Sequence, residues 1–407
     1  MATILRARHV LPIVAPAIPD GAVVVEGERI VAVGPFSELH AAHSGDVLDL
    51  GEQVLMPGLV NAHCHLDYTR LRNAISPQRS FTDWIRAINS HKRALHDEDY
   101  LDAIVLGFAE LRKWGTTTVA NIESFPELLL RMKPPQLRTW WFMEMIDIRH
   151  RFTTNDTVAG ALSFFESERP GWLGGFGLSP HAPYTASGAL FELSSAVSQR
   201  LGMTMTTHVA ESREEWDMFR HGCGELYEFM LRLGRWMYDS HNARTPLGHV
   251  AHHAALGPRW LLAHMNELDE TDFALLAALP EKPSVVHCPG SHRYFGHSPF
   301  PLARLRESGV NVCLGTDSLA STNSLSMFDE MRTLSHSEHA LPYSEILAMA
   351  TVNGARALGF DGGRLAPGAV ADLIALPDTS NTADVPEVIL AHHAPIRWMM
   401  LNGGLLD

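Results

Sequence analysis

Several histidines and acidic residues of this sequence have the spacing of metal ligands. The segment Met56-Pro-Gly-Leu-Val-Asn-Ala-His63-Cys-His65-Leu-Asp67 contains an H-x-H pair. Alternate residues of a β-strand face the same side, so this pair places two imidazoles within reach of one ion. Cys64 then faces the other way and is better interpreted as a small core residue than as a ligand. Alone, an H-x-H pair is a weak signal of a metal site.

Two further segments could complete such a site. His208 follows the strand-like stretch 203–207 and could be a third ligand, and Glu211 lies about one helical turn beyond it. Glu211 could equally be an acid that the helix dipole favours in a first turn. Asp317 follows the stretch 310–316 and could be a helix N-cap or a ligand. We favour the ligand, because three histidines and one aspartate leave a position open for water or substrate.

Short apolar stretches alternate with longer amphipathic segments along the middle of the chain, which is typical of repeated βα units. Eight strands are predicted, at 57–63, 117–122, 138–144, 174–180, 204–208, 260–264, 284–287 and 310–316. Helices are predicted between them, for example at 98–113, 187–201, 268–279 and 342–358. The pattern predicts an α/β protein with a closed (β/α)₈ TIM barrel.

Polar side chains stand at or just after the ends of seven predicted strands. The carboxyl ends of barrel strands converge on one mouth, where active sites lie, so we expect these side chains to meet there. They are His63 and His65, Glu144, His181, His208, His264, His287 and Asp317.

Both ends of the chain consist of short β-branched stretches separated by Gly and Pro turns, which indicates strands. We predict that the two termini build one small β domain from residues 1–54 and 361–407, around a barrel at 55–360.

The overall composition limits the classes of function. The 407 residues are 46% hydrophobic and 19% charged, as in globular proteins, and the net charge of −14 disfavours nucleic acid or an anionic membrane as partner. The four cysteines include no C-x-x-C pair, which suits a reducing compartment. Prolines interrupt the apolar N-terminal stretch 10–25, so we read it as strands rather than a signal peptide and expect a cytoplasmic protein.

The motifs P-G-L-V-N-A-H-x-H, T-H-x-x-E, H-C-P-x-S and G-T-D-S, in this order, resemble those of the amidohydrolase superfamily. The closer likeness is to its mononuclear deaminase branch, which includes cytosine, S-adenosylhomocysteine and aminodeoxyfutalosine deaminases. The resemblance extends over almost the whole chain and implies a (β/α)₈ barrel with a small β-sandwich built from both termini. Binuclear members carry a carboxylated lysine after strand four, and none of the four lysines here lies near that strand.

The resemblance also implies roles for individual residues. Glu211 would be the proton shuttle and His264 would orient the attacking water. One divalent ion, zinc by default with iron or manganese as alternatives, would be held by His63, His65, His208 and Asp317. Substrate contacts are expected from His181, His287, Asp67 and Ser318. The chain has H-C-H-L-D where H-T-H-L-P is commoner, which bears on the substrate rather than on the metal.

The function implied by the resemblance is metal-dependent removal of ammonia from an amino-substituted heteroaromatic ring. We expect an adenine-type nucleoside, such as aminodeoxyfutalosine, S-adenosylhomocysteine or methylthioadenosine. The same ligands could instead serve hydrolytic dechlorination of a triazine or hydrolysis of a cyclic amide. A barrel that binds a ligand without catalysis is the alternative from another class. A homodimer is compatible with the sequence.

The sequence is compatible with two roles for the long stretch 211–260, which are a lid over the mouth and an interface. It contains several aromatic residues, including Trp236 and Tyr238. Its histidines His249, His252 and His253 have helical spacing, and we expect them to be surface or lid residues rather than ligands.

Overall fold

The structure is a computed structural model that describes residues 2–148, 153–165, 171–235, 243–378 and 384–406. Within these ranges the strands, numbered along the chain, are β1 (Ala2–Val10), β2 (Ile18–Glu26), β3 (Arg29–Pro35), β4 (Gly45–Asp49), β5 (Gln53–Pro57), β6 (Leu59–Cys64), β7 (Thr116–Glu123), β8 (Arg138–Met145), β9 (Gly174–Pro180), β10 (Thr204–Val209), β11 (Trp260–His264), β12 (Ser284–His287), β13 (Asn311–Leu314), β14 (Leu373–Pro377), β15 (Trp398–Leu401) and β16 (Gly404–Leu405).

The helices of the described residues are α1 (Phe36–Ala42), α2 (Phe81–Lys92), α3 (Asp97–Lys113), α4 (Thr154–Phe165), α5 (Gly188–Leu201), α6 (Arg213–His221), α7 (Glu225–Arg232), α8 (Pro246–His253), α9 (Glu270–Ala278), α10 (Pro289–Phe295), α11 (Leu302–Glu307), α12 (Met327–Ser337), α13 (Tyr343–Met349), α14 (Val352–Leu358) and α15 (Val385–Leu390). Two short 3₁₀ helices lie at Leu66–Leu71 and Pro126–Arg131. The second 3₁₀ helix lies between β7 and β8, in the position of the α-helix that connects two strands in a regular barrel. None of these helices is both long enough and apolar enough to cross a membrane.

Strands β6 to β13 pair in chain order, all in parallel, and form the predicted barrel. The sheet closes between its first and last strands through a parallel bridge from Cys64 to Asp317. At the same seam, Asn61 Nδ2 donates to Thr316 Oγ1 at 2.8 Å, and the main-chain N–H of Asp317 donates to the carbonyl of His63 at 3.0 Å. The α/β class and the eight-stranded barrel expected from the sequence are therefore confirmed.

The remaining strands, from both ends of the chain, form a mixed sheet in the order β16-β15-β14-β5-β1-β2-β3, with β4 also paired to β1. The predicted first barrel strand, 57–63, is displaced because Pro57 pairs with Leu373 in this terminal sheet, and β6 begins only at Leu59. The predicted helix 342–358 is divided into α13 and α14 by Thr351, which has φ −138° and ψ −95°. The domain boundaries at 54/55 and 360/361 stay a prediction.

The terminal sheet packs against the amino ends of the barrel strands, away from the mouth. Arg138, the first residue of β8, donates from Nε to Asp372 Oδ2 at 2.8 Å and from Nη2 to Asn402 Oδ1 at 2.9 Å. The main-chain N–H of Asn402 donates to Asp372 Oδ1 at 2.7 Å. Arg138 and Asp372 are 8% and 4% exposed, so this ion pair is buried.

We expect Arg138→Ala to lower the free energy of unfolding by about 3–5 kcal/mol, because it leaves the Asp372 carboxylate buried without its cation. Urea unfolding followed by circular dichroism measures the loss. The matched control is Arg304→Ala, which removes the exposed pair between Arg304 and Glu270 (45% and 80% exposed) and should change stability by about 0–1 kcal/mol. Equal losses for the two variants would contradict a structural role of the buried pair.

Candidate metal centre

Five of the side chains named from the sequence meet at the carboxyl ends of the barrel strands. They come from β6 and the residue after it, from β10 and β11, and from the turn after β13. Each is at most 7% exposed: His63, His65, His208, His264 and Asp317. Neighbouring parallel strands end at one rim, so residues distant in sequence become neighbours there.

The ligand atoms of these residues face one another across a small space. The Nε2 atoms of His65 and His208 are 3.1 Å apart, and Asp317 Oδ1 lies 3.8 Å from His63 Nε2 and 3.9 Å from His65 Nε2. Two overlapping groups each bring three possible ligand atoms within 4.8 Å of one another. One group is His63, His208 and His264, and the other is His63, His65 and Asp317. The four ligands predicted from the sequence therefore come together, and His264 lies with them.

The main chain bends sharply where it carries these side chains. Ala210, His264 and Asp317 have φ values of 52°, 74° and 59°, in the left-handed region that residues other than glycine rarely adopt. Hydrogen bonds across the rim hold these turns, including Met265 N–H to the Val209 carbonyl at 3.0 Å. Strained backbone of this kind commonly occurs where side chains are held for function.

The imidazoles are in a state that suits a metal ion. The Nδ1 of His208 donates to the carbonyl of His181 at 2.8 Å, which leaves its Nε2 lone pair directed at the centre. Within the described residues, both ring nitrogens of His63 and the Nε2 of His264 are buried without a hydrogen-bond partner. Burial, followed by the neighbouring imidazoles, lowers the pKa of His63, His65 and His264 well below the ordinary value, so these rings are neutral at pH 7. Neutral imidazole is the form that ligates metals.

The size of the space also fits one ion. Two ligands at about 2.0–2.1 Å from a tetrahedral zinc lie about 3.3 Å apart, close to the separation of the His65 and His208 nitrogens. Three imidazoles and one carboxylate form a common zinc donor set, so the orphaned nitrogens and the spacing both fit a single divalent ion of this type.

Glu211 lies at the edge of the same space and is 6% exposed. Its Oε1 is 3.8 Å from His264 Nε2. Burial, then the negative charges of Asp317 and Glu215, raise the pKa of Glu211 well above its ordinary value. Burial thus favours the protonated form of Glu211, which can donate a proton from inside the barrel mouth.

The turn that carries Glu211 is held by two residues that the sequence analysis did not identify. Glu215 Oε2 accepts the main-chain N–H of Glu211 at 2.8 Å, and Asn266 Nδ2 donates to the Glu211 carbonyl at 3.0 Å. Glu215 could have been found from the segment Ser212-Arg-Glu-Glu215, which has the spacing of a capping box at the start of α6. Asn266 follows His264 on a different strand, so no local pattern connects it to Glu211.

The predicted substrate residue His181 stands beside the metal centre. Its ring centroid is 4.8 Å from that of His208, and its Nε2 is 3.8 Å from Glu144 Oε1. Ser124 Oγ donates to Glu144 Oε2 at 2.8 Å, so the carboxylate beside His181 is itself fixed. Burial lowers the pKa of His181 to about 4, so this ring is neutral at pH 7.

The other predicted substrate residues are placed differently. His287 stacks on Phe300, with ring centroids 3.8 Å apart, at the end of β12. Asp67 is fully buried, and neither of its carboxylate oxygens has a hydrogen-bond partner in the described part of the chain. Ser318 donates its main-chain N–H to Asp317 Oδ1 at 2.7 Å. Their contacts with substrate stay predictions.

The described part of the stretch 211–260 forms α6, α7 and α8, of which α6 and α7 pack against α2. One apolar cluster includes Phe81 of α2, Met218 and Phe219 of α6, and Leu226 of α7. The expectation that His249 is a surface residue is wrong. It is fully buried because its ring packs against Phe219, with centroids 4.9 Å apart. Trp236 and Tyr238 lie outside the described residues.

Two curated proteins align with most of this chain. A 5-methylthioadenosine/S-adenosylhomocysteine deaminase of Desulfitobacterium hafniense is 30% identical over 440 residues, covering 100% of this chain and 93% of that protein. A 5′-deoxyadenosine deaminase of Methanothermobacter thermautotrophicus is 32% identical over 379 residues, covering 89% and 82%.

Two solved structures have a similar fold. An adenosine deaminase of Xanthomonas campestris with bound zinc superposes with a TM-score of 0.81 at 26% identity, covering 99% of this chain and 92% of that one. The aminofutalosine deaminase of Helicobacter pylori superposes with a TM-score of 0.87 over both full chains, and at 21% identity this likeness shows the fold alone.

The family models agree with this similarity. A model of an imidazolonepropionase-like composite domain of bacteria matches residues 21–43, within the terminal sheet. The model of the amidohydrolase family matches residues 54–392, which is most of the chain and includes the whole metal centre. The resemblance of the motifs is thereby confirmed, and the chain belongs to the amidohydrolase family.

Proposed function

We propose that this protein is a metal-dependent aminohydrolase that releases the exocyclic amine of an adenine-type nucleoside as ammonia. The observation that carries the proposal is a buried Glu211, with Oε1 3.8 Å from His264 Nε2, beside a centre of three imidazoles and one carboxylate. Two relatives with deaminase names, at 30% and 32% identity, support this reaction over other hydrolyses. A catalytically inactive barrel would have no need to keep Glu211 and the buried nitrogens in this arrangement.

In this proposal His63, His65, His208 and Asp317 hold the ion, with His264 close by. A divalent ion in such a site lowers the pKa of a coordinated water toward about 7 and so supplies a nucleophile at neutral pH. The neutral state of the imidazoles means that the ion need not displace protons from them.

The remaining steps belong to side chains of this chain. Glu211 donates its proton to a ring nitrogen of the base, which makes the adjacent amine-bearing carbon electrophilic. Asp317 accepts a proton from the attacking water. His264 orients that water, and its Nε2 lies 3.8 Å from Glu211 Oε1. Asp317 then passes its proton to the amine, the carbon–nitrogen bond breaks and ammonia leaves. The new hydroxyl group gives its proton to the Glu211 carboxylate as it becomes the carbonyl of the product, which restores the acid. Positioned acid–base groups of this kind contribute about 10²–10⁴-fold to the rate.

His181 and the pair Glu144–Ser124 lie on the other side of His208 from Glu211 and His264. We assign them to the sugar-bearing part of the substrate, because hydroxyl groups can donate hydrogen bonds to a carboxylate and can donate to or accept from a neutral imidazole. His287, Asp67 and Ser318 complete the proposed substrate contacts.

The direct test is a panel of substrates with three separate readouts, which are ammonia, chloride, and the ring-opened product of the cyclic amide detected by mass spectrometry. The panel contains methylthioadenosine, S-adenosylhomocysteine, 5′-deoxyadenosine, aminodeoxyfutalosine, a pterin, a cyclic amide and a chlorinated triazine. We expect ammonia from at least one adenine nucleoside. Chloride release from the triazine without ammonia from any nucleoside would overturn the proposal in favour of dechlorination. A metal-loaded protein inactive on the whole panel would favour the binding barrel.

We expect Glu211→Gln to lower kcat about 10²–10⁴-fold while the bound metal is retained, since the amide cannot donate the acid's proton and Glu211 is not a proposed ligand. Steady-state kinetics and metal analysis on the same sample measure both quantities. The control Glu228→Gln, on the exposed side of α7, should keep wild-type turnover. A Glu211→Gln enzyme with near-wild-type kcat would rule out the shuttle role.

Removal of the metal with a chelator should abolish ammonia release and lower the thermal unfolding midpoint, because an ion that binds only the folded chain stabilises it. One equivalent of zinc per chain should restore both properties. Titration of the apoprotein with zinc, followed by activity and by melting, checks this stoichiometry. A requirement for two equivalents would contradict a mononuclear centre.

A further inference from the structure

The carboxylate of Asp317 is held by two serine hydroxyls to which the motifs assign no role. Ser291 Oγ donates to Asp317 Oδ2 at 2.6 Å, and Ser321 Oγ donates to the same oxygen at 2.9 Å. We propose that Ser291 and Ser321 are positioning residues that fix the Asp317 carboxylate and thereby set the affinity of the centre for its metal ion. This inference rests on the proposed role of Asp317 as a ligand.

The two oxygens of Asp317 have different surroundings, which is what a positioning role requires. Oδ1 accepts the main-chain N–H of Ser318 at 2.7 Å and is the oxygen that faces His63 and His65. Oδ2 is bound by the two hydroxyls on the other side. Rotation of the carboxylate about its Cβ–Cγ bond would break these bonds, so the hydroxyls keep Oδ1 directed at the imidazoles.

The serines can hold Asp317 because they are themselves fixed. Both are 1% exposed, and their hydroxyl oxygens are 3.0 Å apart, so each lies against the other as well as against Oδ2. The main-chain N–H of Ser321 donates to the Ser318 carbonyl at 3.0 Å, which places it in the turn that begins at Asp317. Ser291 comes from a different element, the first turn of α10.

That first turn is anchored by Glu330 of α12. The Gly290 main-chain N–H donates to Glu330 Oε2 at 2.6 Å. A Cβ at Gly290 would lie 2.5 Å from Glu330 Oε1 and 2.6 Å from Thr322 Oγ1, so a larger residue would force these side chains to move. Glu330 is 1% exposed, and it therefore fixes the residue next to Ser291 from inside the protein. The chain of contacts runs from Glu330 through Gly290 and Ser291 to Asp317.

Residues that orient a metal ligand commonly affect metal affinity by about 10–100-fold when they are removed. Hydroxyl bonds to a buried carboxylate are charge-assisted and stronger than neutral ones, so the loss of either serine should be measurable. In the sequence, Ser291 is part of the H-C-P-x-S motif, which does not indicate which residue it contacts. Ser321 is part of none of the motifs.

The test is the zinc affinity of purified full-length variants, measured by competition with a chromophoric chelator. We expect Ser291→Ala and Ser321→Ala each to weaken zinc binding by about 10–100-fold. We expect Ser321→Thr, which keeps the hydroxyl, to stay close to wild type. The absorption spectrum of the cobalt-substituted variants gives a second readout, since it reports the geometry of the ligands and should change in the two alanine variants. The control is Ser194→Ala on α5, whose buried hydroxyl has no hydrogen-bond partner within the described residues.

Comparison with Asp317→Ala separates this inference from the proposed function. If Asp317→Ala weakens zinc binding and both serine variants bind zinc like the wild type, the positioning role is wrong and the ligand assignment stands. If Asp317→Ala also binds zinc like the wild type, the ligand assignment fails and the positioning role fails with it. Should Ser291→Ala not fold by circular dichroism, Ser321→Ala and its threonine partner decide the result.

Discussion

The site depends on the closure of the barrel between β6 and β13. The Cys64–Asp317 bridge and the hydrogen bond from Asp317 to the His63 carbonyl join residues from opposite ends of the barrel sequence. The residues at this seam belong to the H-x-H segment and include the aspartate. The contacts that close the sheet therefore also bring these metal ligands together. An open sheet would leave His63 and His65 at one edge and Asp317 at the other, and no ion could bridge them.

The centre is arranged for a bound ion rather than for hydrogen bonds within the protein. No protein group in the described part of the chain bonds several of its imidazole nitrogens, so an ion that binds them would stabilise the folded chain. The left-handed backbone at His264 and Asp317 adds strain. The terminal sheet and its buried Arg138–Asp372 pair lie at the opposite end of the barrel, where they stabilise the fold away from the metal centre. The buried ion pair and the candidate metal centre are therefore located at different ends of the barrel.

The sequence predicted the barrel well because its strands are continuous apolar stretches between amphipathic helices, and the ligands follow those strands directly. It failed where the deciding contact is distant in sequence. The pairing of Pro57 with Leu373 displaced the first strand, and packing against Phe219 buried His249. The roles of Ser291, Ser321, Glu215 and Asn266 depend on which residues of separate elements meet, and no local pattern contains that information.

The proposed ligand set is tested most directly by a crystal structure of the zinc-loaded protein with anomalous diffraction recorded at the zinc absorption edge. We expect one peak per chain at the barrel mouth, about 2.0–2.2 Å from nitrogens of His63, His65 and His208 and from Asp317 Oδ1. Two peaks, or a peak bound by other residues while these four side chains point apart, would contradict it.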